Sequence, residues 1–108
     1  MSDNATGQLA HHVYFTLKDK SAEKKAELVE ACHKYLKPQA GVVFFSAGGR
    51  VPDLSRPVND AEFDVSLAIV FDSRTSHDAY QTDETHDVFI AEQKDNWEKV
   101  RVFDSNLT

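Results

Sequence analysis

The chain has 108 residues, 41% hydrophobic and 28% charged, a composition that suits one compact domain and leaves no room for a second. Eighteen acidic against twelve basic residues give a net charge of −6, which argues against a nucleic-acid backbone or an anionic membrane surface as partner. No apolar run approaches the ~20 residues of a membrane span, no leader pattern opens the chain, and the single cysteine, Cys32, cannot form an internal disulfide. A soluble, cytoplasmic protein is therefore expected, and the sequons at Asn4 and Asn106 read as chance matches near the termini.

Residues 1–8 are small or polar and read as a loose arm. Strict alternation then predicts a strand over 9–17, with Leu9, His11, Val13, Phe15 and Leu17 on one face and Ala10, His12, Tyr14 and Thr16 on the other. Ser21 is suited to cap a helix, Glu23 to its positive end, and Pro38 marks its stop; Val29, Cys32 and Leu36 form the apolar stripe. A second strand is expected over 42–47, with Phe44 and Phe45 on opposite faces and both buried. Gly48-Gly49 reads as a strand-end bend that opens a long polar loop reaching to about Glu62. Phe63, Val65, Leu67, Ile69 and Phe71 alternate with smaller residues and predict the third strand. Asp72 and Ser73 cap a short helix through Tyr80, Thr82 is the expected N-cap of a second helix burying Val88 and Phe89, and a last strand follows over 99–103.

The order βαββαβ predicts an α+β, ferredoxin-like split βαβ domain over residues 9–104, with a short tail at 105–108. Its four-stranded antiparallel sheet carries the helices on one face. The other face, with Tyr14, Ala68, Val70 and a phenylalanine of the second strand, is too apolar to leave wet. A second copy packed sheet to sheet covers it most simply, so a homodimer with a barrel-like core is expected.

Three segments carry a family resemblance: His11-x-Val13-x-Phe15 followed by Lys18-Asp19; Tyr80 to His86 followed by Phe89; and Trp97-Glu98-Lys99 with Val102-Phe103-Asp104. Together they resemble the stress-responsive A/B barrel family of dimeric α/β barrels, over roughly residues 9–104. The resemblance implies the same ferredoxin-like dimer and a mixed range of functions, including plant stress proteins without a clear activity and small polyketide cyclases. In such cyclases a histidine is the general base and a pocket tyrosine supports it, roles that the motif carries onto His86 and Tyr80, with His11 as a pocket histidine. The chain departs from the pattern twice. Asp83-Glu84 stands where many members have His-Pro, and Val65 stands where these cyclases place another histidine.

Tyr80 and His86 are six residues apart, which on a continuous helix turns them well away from each other, so they meet only if the helix breaks near Thr82. An imidazole that titrates near neutrality beside a phenol that stays protonated suits proton abstraction next to a carbonyl. His11 would orient a small apolar or aromatic ligand. His12 faces the other way, His33 and His77 read as surface, and no histidine or cysteine spacing matches a zinc site, so neither a metal nor another cofactor is expected. Cys32 reads as a small core hydrophobe, Trp97 as a core anchor, Arg50 and Arg56 as solvated surface, and Asp83, Glu84 and Asp87 as helix N-terminal charge. The sequence thus favours a homodimer whose small apolar pocket supports cofactor-free, cyclase-like acid–base chemistry. A non-catalytic stress-associated oligomer is the alternative, and an oxygenase-like relative on the same fold is a third reading that no cofactor motif supports.

Overall fold

The computed structural model describes residues 7–108; the first six residues of the N-terminal arm, with the sequon at Asn4, lie outside the described residues. The chain runs β1 (Leu9–Leu17), α1 (Ala22–Tyr35), β2 (Val42–Gly49), β3 (Val65–Phe71), α2 (Arg74–Gln81), α3 (Glu84–Gln93), a short 3-10 turn and β4 (Trp97–Asn106). The strands form one antiparallel sheet in the order β2-β3-β1-β4, so β3 inserts between β2 and β1 as a split βαβ requires. None of the described helices is long and apolar enough to cross a membrane.

The alternation read along β1 is realised, except that Ala10 on the other face is buried as well. Leu9, His11, Val13, Phe15 and Leu17 are buried on the helix-covered face, joined by Val65, Leu67, Ile69 and Phe71 of β3. Helix α1 starts at the Ser21 cap, whose hydroxyl accepts the Lys24 N–H, and it covers this face with Leu28, Ala31, Cys32 and Leu36. Leu28 sits one turn before Cys32 and belongs to the stripe, which the Val29-Cys32-Leu36 reading omits; Val29 is only partly buried. Gly41 turns the chain from α1 into β2 with φ 86°. A Cβ there would stand 2.3 Å from the Ser76 hydroxyl, so both backbone and space require glycine.

Several boundaries differ from the sequence expectation. Gly48 and Gly49 remain in β2, paired with Ser66 and Val65, and do not form a bend. β3 begins at Val65: Phe63 leaves the inner face and packs its ring edge-on against Tyr14 on the outer face, with centroids 5.2 Å apart. The cap of α3 is Asp83, whose carboxylate accepts the Thr85 N–H, while Thr82 closes α2. That helix buries Phe89 but leaves Val88 47% exposed, because adjacent helical positions are about 100° apart. β4 extends through Asn106, which pairs with Leu9.

On the outer face of the single chain, Phe44 and Phe103 are 55% and 51% exposed, the face that a second copy is expected to cover. They flank Tyr14, Ala68 and Val70, which are partly exposed.

Candidate active site

On the inner face, the wider gap between α2–α3 and the β1–β4 half of the sheet leaves a cavity of about 390 Å³. Its floor is apolar, with Val13 and Phe15 of β1, Leu67 of β3 and Val100 and Val102 of β4; Phe89 of α3 closes one side. The polar groups gather at the opposite wall, where His11, His77, Tyr80, His86 and Asp104 all reach the cavity. An apolar cleft with a few convergent polar groups is the usual form of a small-molecule site.

The break between α2 and α3 sets the geometry of Tyr80 and His86. Gln81 ends the first helix and Asp83 starts the next, and the resulting turn brings the two rings together with centroids 4.6 Å apart at 59°. Tyr80 is buried (3% exposed), and that burial, with the nearby Cys32, pushes its phenol well above the ordinary tyrosine range. It therefore stays protonated at any neutral pH and can donate a hydrogen bond. His86 is half-buried. Burial is the main influence that lowers its pKa, and His11 adds to it, against the opposing pull of Asp87 and Asp83. Its Nδ1 is buried and has no hydrogen-bond partner among the described residues, as is the Trp97 indole nitrogen. An unpaired buried polar atom on a cavity wall is costly unless something else meets it.

His11 is buried, and its Nδ1 lies 2.6 Å from the Asp104 carboxylate on the neighbouring strand, the residue directly opposite in register. Burial lowers the His11 pKa more than Asp104 raises it, so the ring is neutral at pH 7. Its ring centroid is 5.8 Å from that of Tyr80. The three residues singled out from sequence thus share one wall.

Two further residues at this wall escaped the sequence reading. Asp104 ends the Val102-Phe103-Asp104 segment of the resemblance, but its place beside His11 is recognisable only once β4 is aligned with β1. His77, expected at the surface, is turned inward: its side chain is 13% exposed, and its ring is 5.2 Å from that of His11 and 5.6 Å from Phe71. The amphipathic face of α2 places it one turn before Tyr80. His12 lies on the outer face opposite Ala68 and Phe103, and His33 is exposed against Phe45. Cys32 is fully buried, and burial pushes its thiol up to about 12, which makes it inert as a nucleophile at neutral pH. Trp97 packs its ring against Phe15 and Phe89, with centroids 4.9 and 5.7 Å away.

Comparison with known proteins locates this architecture. A Mesorhizobium loti protein of the Dabb family with a ferredoxin-like fold superposes with a TM-score of 0.78 at 21% identity, over 94% of this chain and 98% of the other. A dimeric ferredoxin-like protein of unknown function from Thermobifida fusca gives 0.78 at 13% identity, over 99% and 97%. A hydroxynitrile lyase from Passiflora edulis gives 0.76 at 16% identity, over 95% of both chains. No curated protein is a significant sequence match. The model of the stress responsive A/B barrel domain matches residues 9–107, nearly the whole chain, and the chain belongs to that family.

Proposed function

We infer that this protein is a homodimer whose subunits each bind a small apolar or aromatic carbonyl compound and catalyse proton transfer on it without a cofactor. One observation carries this reading: the His86 imidazole, whose buried Nδ1 has no partner among the described residues, stands 4.6 Å, centroid to centroid, from a protonated Tyr80 on the wall of an apolar cavity. With its pKa lowered by burial, His86 is unprotonated at neutral pH and able to take a proton from carbon next to a carbonyl. Negative charge then develops on the carbonyl oxygen, where the Tyr80 hydroxyl stabilises it by hydrogen bonding. The proton returns from His86 to carbon or oxygen at a new position, or the carbanion adds to a second carbonyl of the same molecule, closing a ring, and His86 gives its proton to the new alkoxide. His11, held by Asp104, orients the ligand from the facing strand. The Passiflora edulis neighbour named a hydroxynitrile lyase supports the view that this fold carries catalysts.

Proton abstraction can be tested without knowing the natural substrate. Incubation in D2O with a panel of aryl methyl ketones and 1,3-diketones, followed by NMR, reads deuterium entering the α-carbon. The wild-type protein should accelerate exchange for at least one compound, and His86→Ala should lose about 100-fold or more of that rate while keeping its circular dichroism spectrum. If the wild-type protein accelerates none of them, the catalytic role fails and the family's stress-associated, non-catalytic oligomer becomes the better description.

The dimer rests on the outer sheet face, where Phe44 and Phe103 flank a continuous partly exposed surface. Several solved neighbours are described as dimeric. Sedimentation at micromolar concentration should give twice the monomer mass, and Phe103→Asp should shift it towards monomer; a wild-type monomer would contradict the assignment.

A further inference from the structure

At the end of the cavity away from Phe89, three side chains from three elements converge: His11 of β1, His77 of α2 and Asp104 of β4. Their donor atoms all lie within 4.8 Å of one another. Asp104 Oδ1 is 2.6 Å from His11 Nδ1 and 4.0 Å from His77 Nε2. Two imidazole nitrogens and one carboxylate oxygen are a donor set suited to zinc and the other divalent first-row transition metals.

The surroundings of His77 add a second, independent observation. Its other ring nitrogen, Nδ1, lies 3.0 Å from Asp78 Oδ1, and that same oxygen accepts from Arg74 Nε at 2.9 Å. The Asp78 contact holds the ring with its second nitrogen, Nε2, facing Asp104. A carboxylate behind the ring, fixing tautomer and orientation, is the arrangement that supports histidines in metal sites. An exposed surface histidine has no need of such a brace.

Access is also present. His77 and Asp104 border both the apolar cavity and a second, more polar cavity of about 280 Å³ near Arg74 and Ser105. An ion could thus reach the three ligands from solvent and keep a coordination position open towards the apolar cavity.

We propose that His11, His77 and Asp104 form a binding site for a divalent first-row transition cation, with zinc as the reference ion. Metal–ligand distances of about 2.0–2.2 Å place neighbouring donors roughly 3–3.5 Å apart. The His11–Asp104 contact therefore opens slightly and the His77–Asp104 gap closes, movements within reach of a half-exposed aspartate. The ion takes the place of the proton between His11 and Asp104: that proton moves through solvent to His11 Nε2, the freed Nδ1 lone pair binds the metal, and the ring stays neutral, so no net proton is released. The site is independent of the roles assigned to His86 and Tyr80.

The test titrates the chelator-stripped full chain with Zn2+ against a fluorescent chelator, with a pH dye in weak buffer at pH 7.5 counting protons. One ion per chain is expected, with little net proton release, because the His11 ring is neutral before and after binding. His77→Ala and Asp104→Asn should each weaken binding, and Asp78→Asn, which leaves all three ligands in place, should weaken it about 10–100-fold. Co2+ should give a visible absorption band that His77→Ala abolishes. The absence of binding at millimolar Zn2+ would overturn the site. So would binding that is unchanged in His77→Ala and Asp104→Asn, since it would then belong to other residues such as His12 or His33.

Discussion

The two ends of β1 are each fastened by a carboxylate, and the two are used in opposite ways. At the Leu17 end, Asp64 is 11% exposed in its side chain, and its Oδ2 accepts twice, from the Leu17 N–H at 2.8 Å and from the Lys20 ammonium at 2.9 Å. Its own backbone N–H donates to the Phe15 carbonyl, and its carbonyl accepts from Arg50, so one residue pins β1, β3 and the end of β2. At the Leu9 end, Asp104 is 43% exposed in its side chain, holds one imidazole and faces another across a gap at the cavity mouth. The same residue type serves architecture where it is buried and tied to backbone and ammonium donors, and serves chemistry where it is half-exposed beside a cavity.

The largest effect should therefore come from the Asp64 end. Asp64→Ala strips the partner from the buried Leu17 N–H and from Lys20, and should cost about 2–3 kcal/mol in urea unfolding. Asp104→Ala removes a partner at a site that water can reach, and should cost about 1 kcal/mol or less. Equal losses, or a larger loss at Asp104, would erase the distinction between the two ends.

That distinction was only half legible in the sequence. Period-two alternation is a strong signal where one face is buried and the other is not, so β1 was readable to its last residue, and the Ser21 cap placed α1. β4 was harder, because it is an edge strand over a cavity: Val100 and Val102 face the pocket yet stay 40% and 50% exposed, so no buried face marks its length. The alternation through Phe63 looked continuous, but Asp64 turns the chain to reach Leu17 and sends Phe63 to the other face. His86 and Tyr80 could be paired because a cap signal broke the helix between them. His77 and Asp104 could not, since 66 residues separate His77 from His11 and 27 separate it from Asp104. Only the pairing of β4 with β1, in a register that shifts between Thr16 and Leu17, brings them together.

A smaller effect separates the two ends along the pH axis. The His86 pKa is lowered in the folded state by burial, with His11 in the same direction and Asp87 and Asp83 opposing. Between its folded pKa and the unfolded value near 6.5, the unfolded chain binds more protons, so stability is complete above about pH 6.5 and falls as the pH drops through that window. His11, lowered by its own burial against the pull of Asp104, adds to the same loss. The slope for each group cannot exceed about 1.4 kcal/mol per pH unit. At Asp64, burial raises the carboxyl pKa, but the Leu17 N–H and Lys20 outweigh it, so the net shift is downward and its share of stability is lost only below pH 3.8. Urea unfolding in chelator-treated buffer from pH 8 to 5 should show stability declining below 6.5, with a shallower decline in His86→Gln and an unchanged one in Asp64→Asn, whose own deficit is already present at pH 8. A flat profile between pH 7 and 5 would mean that the cavity wall carries no unpaid desolvation, and the imidazoles there would then be as satisfied as Asp64.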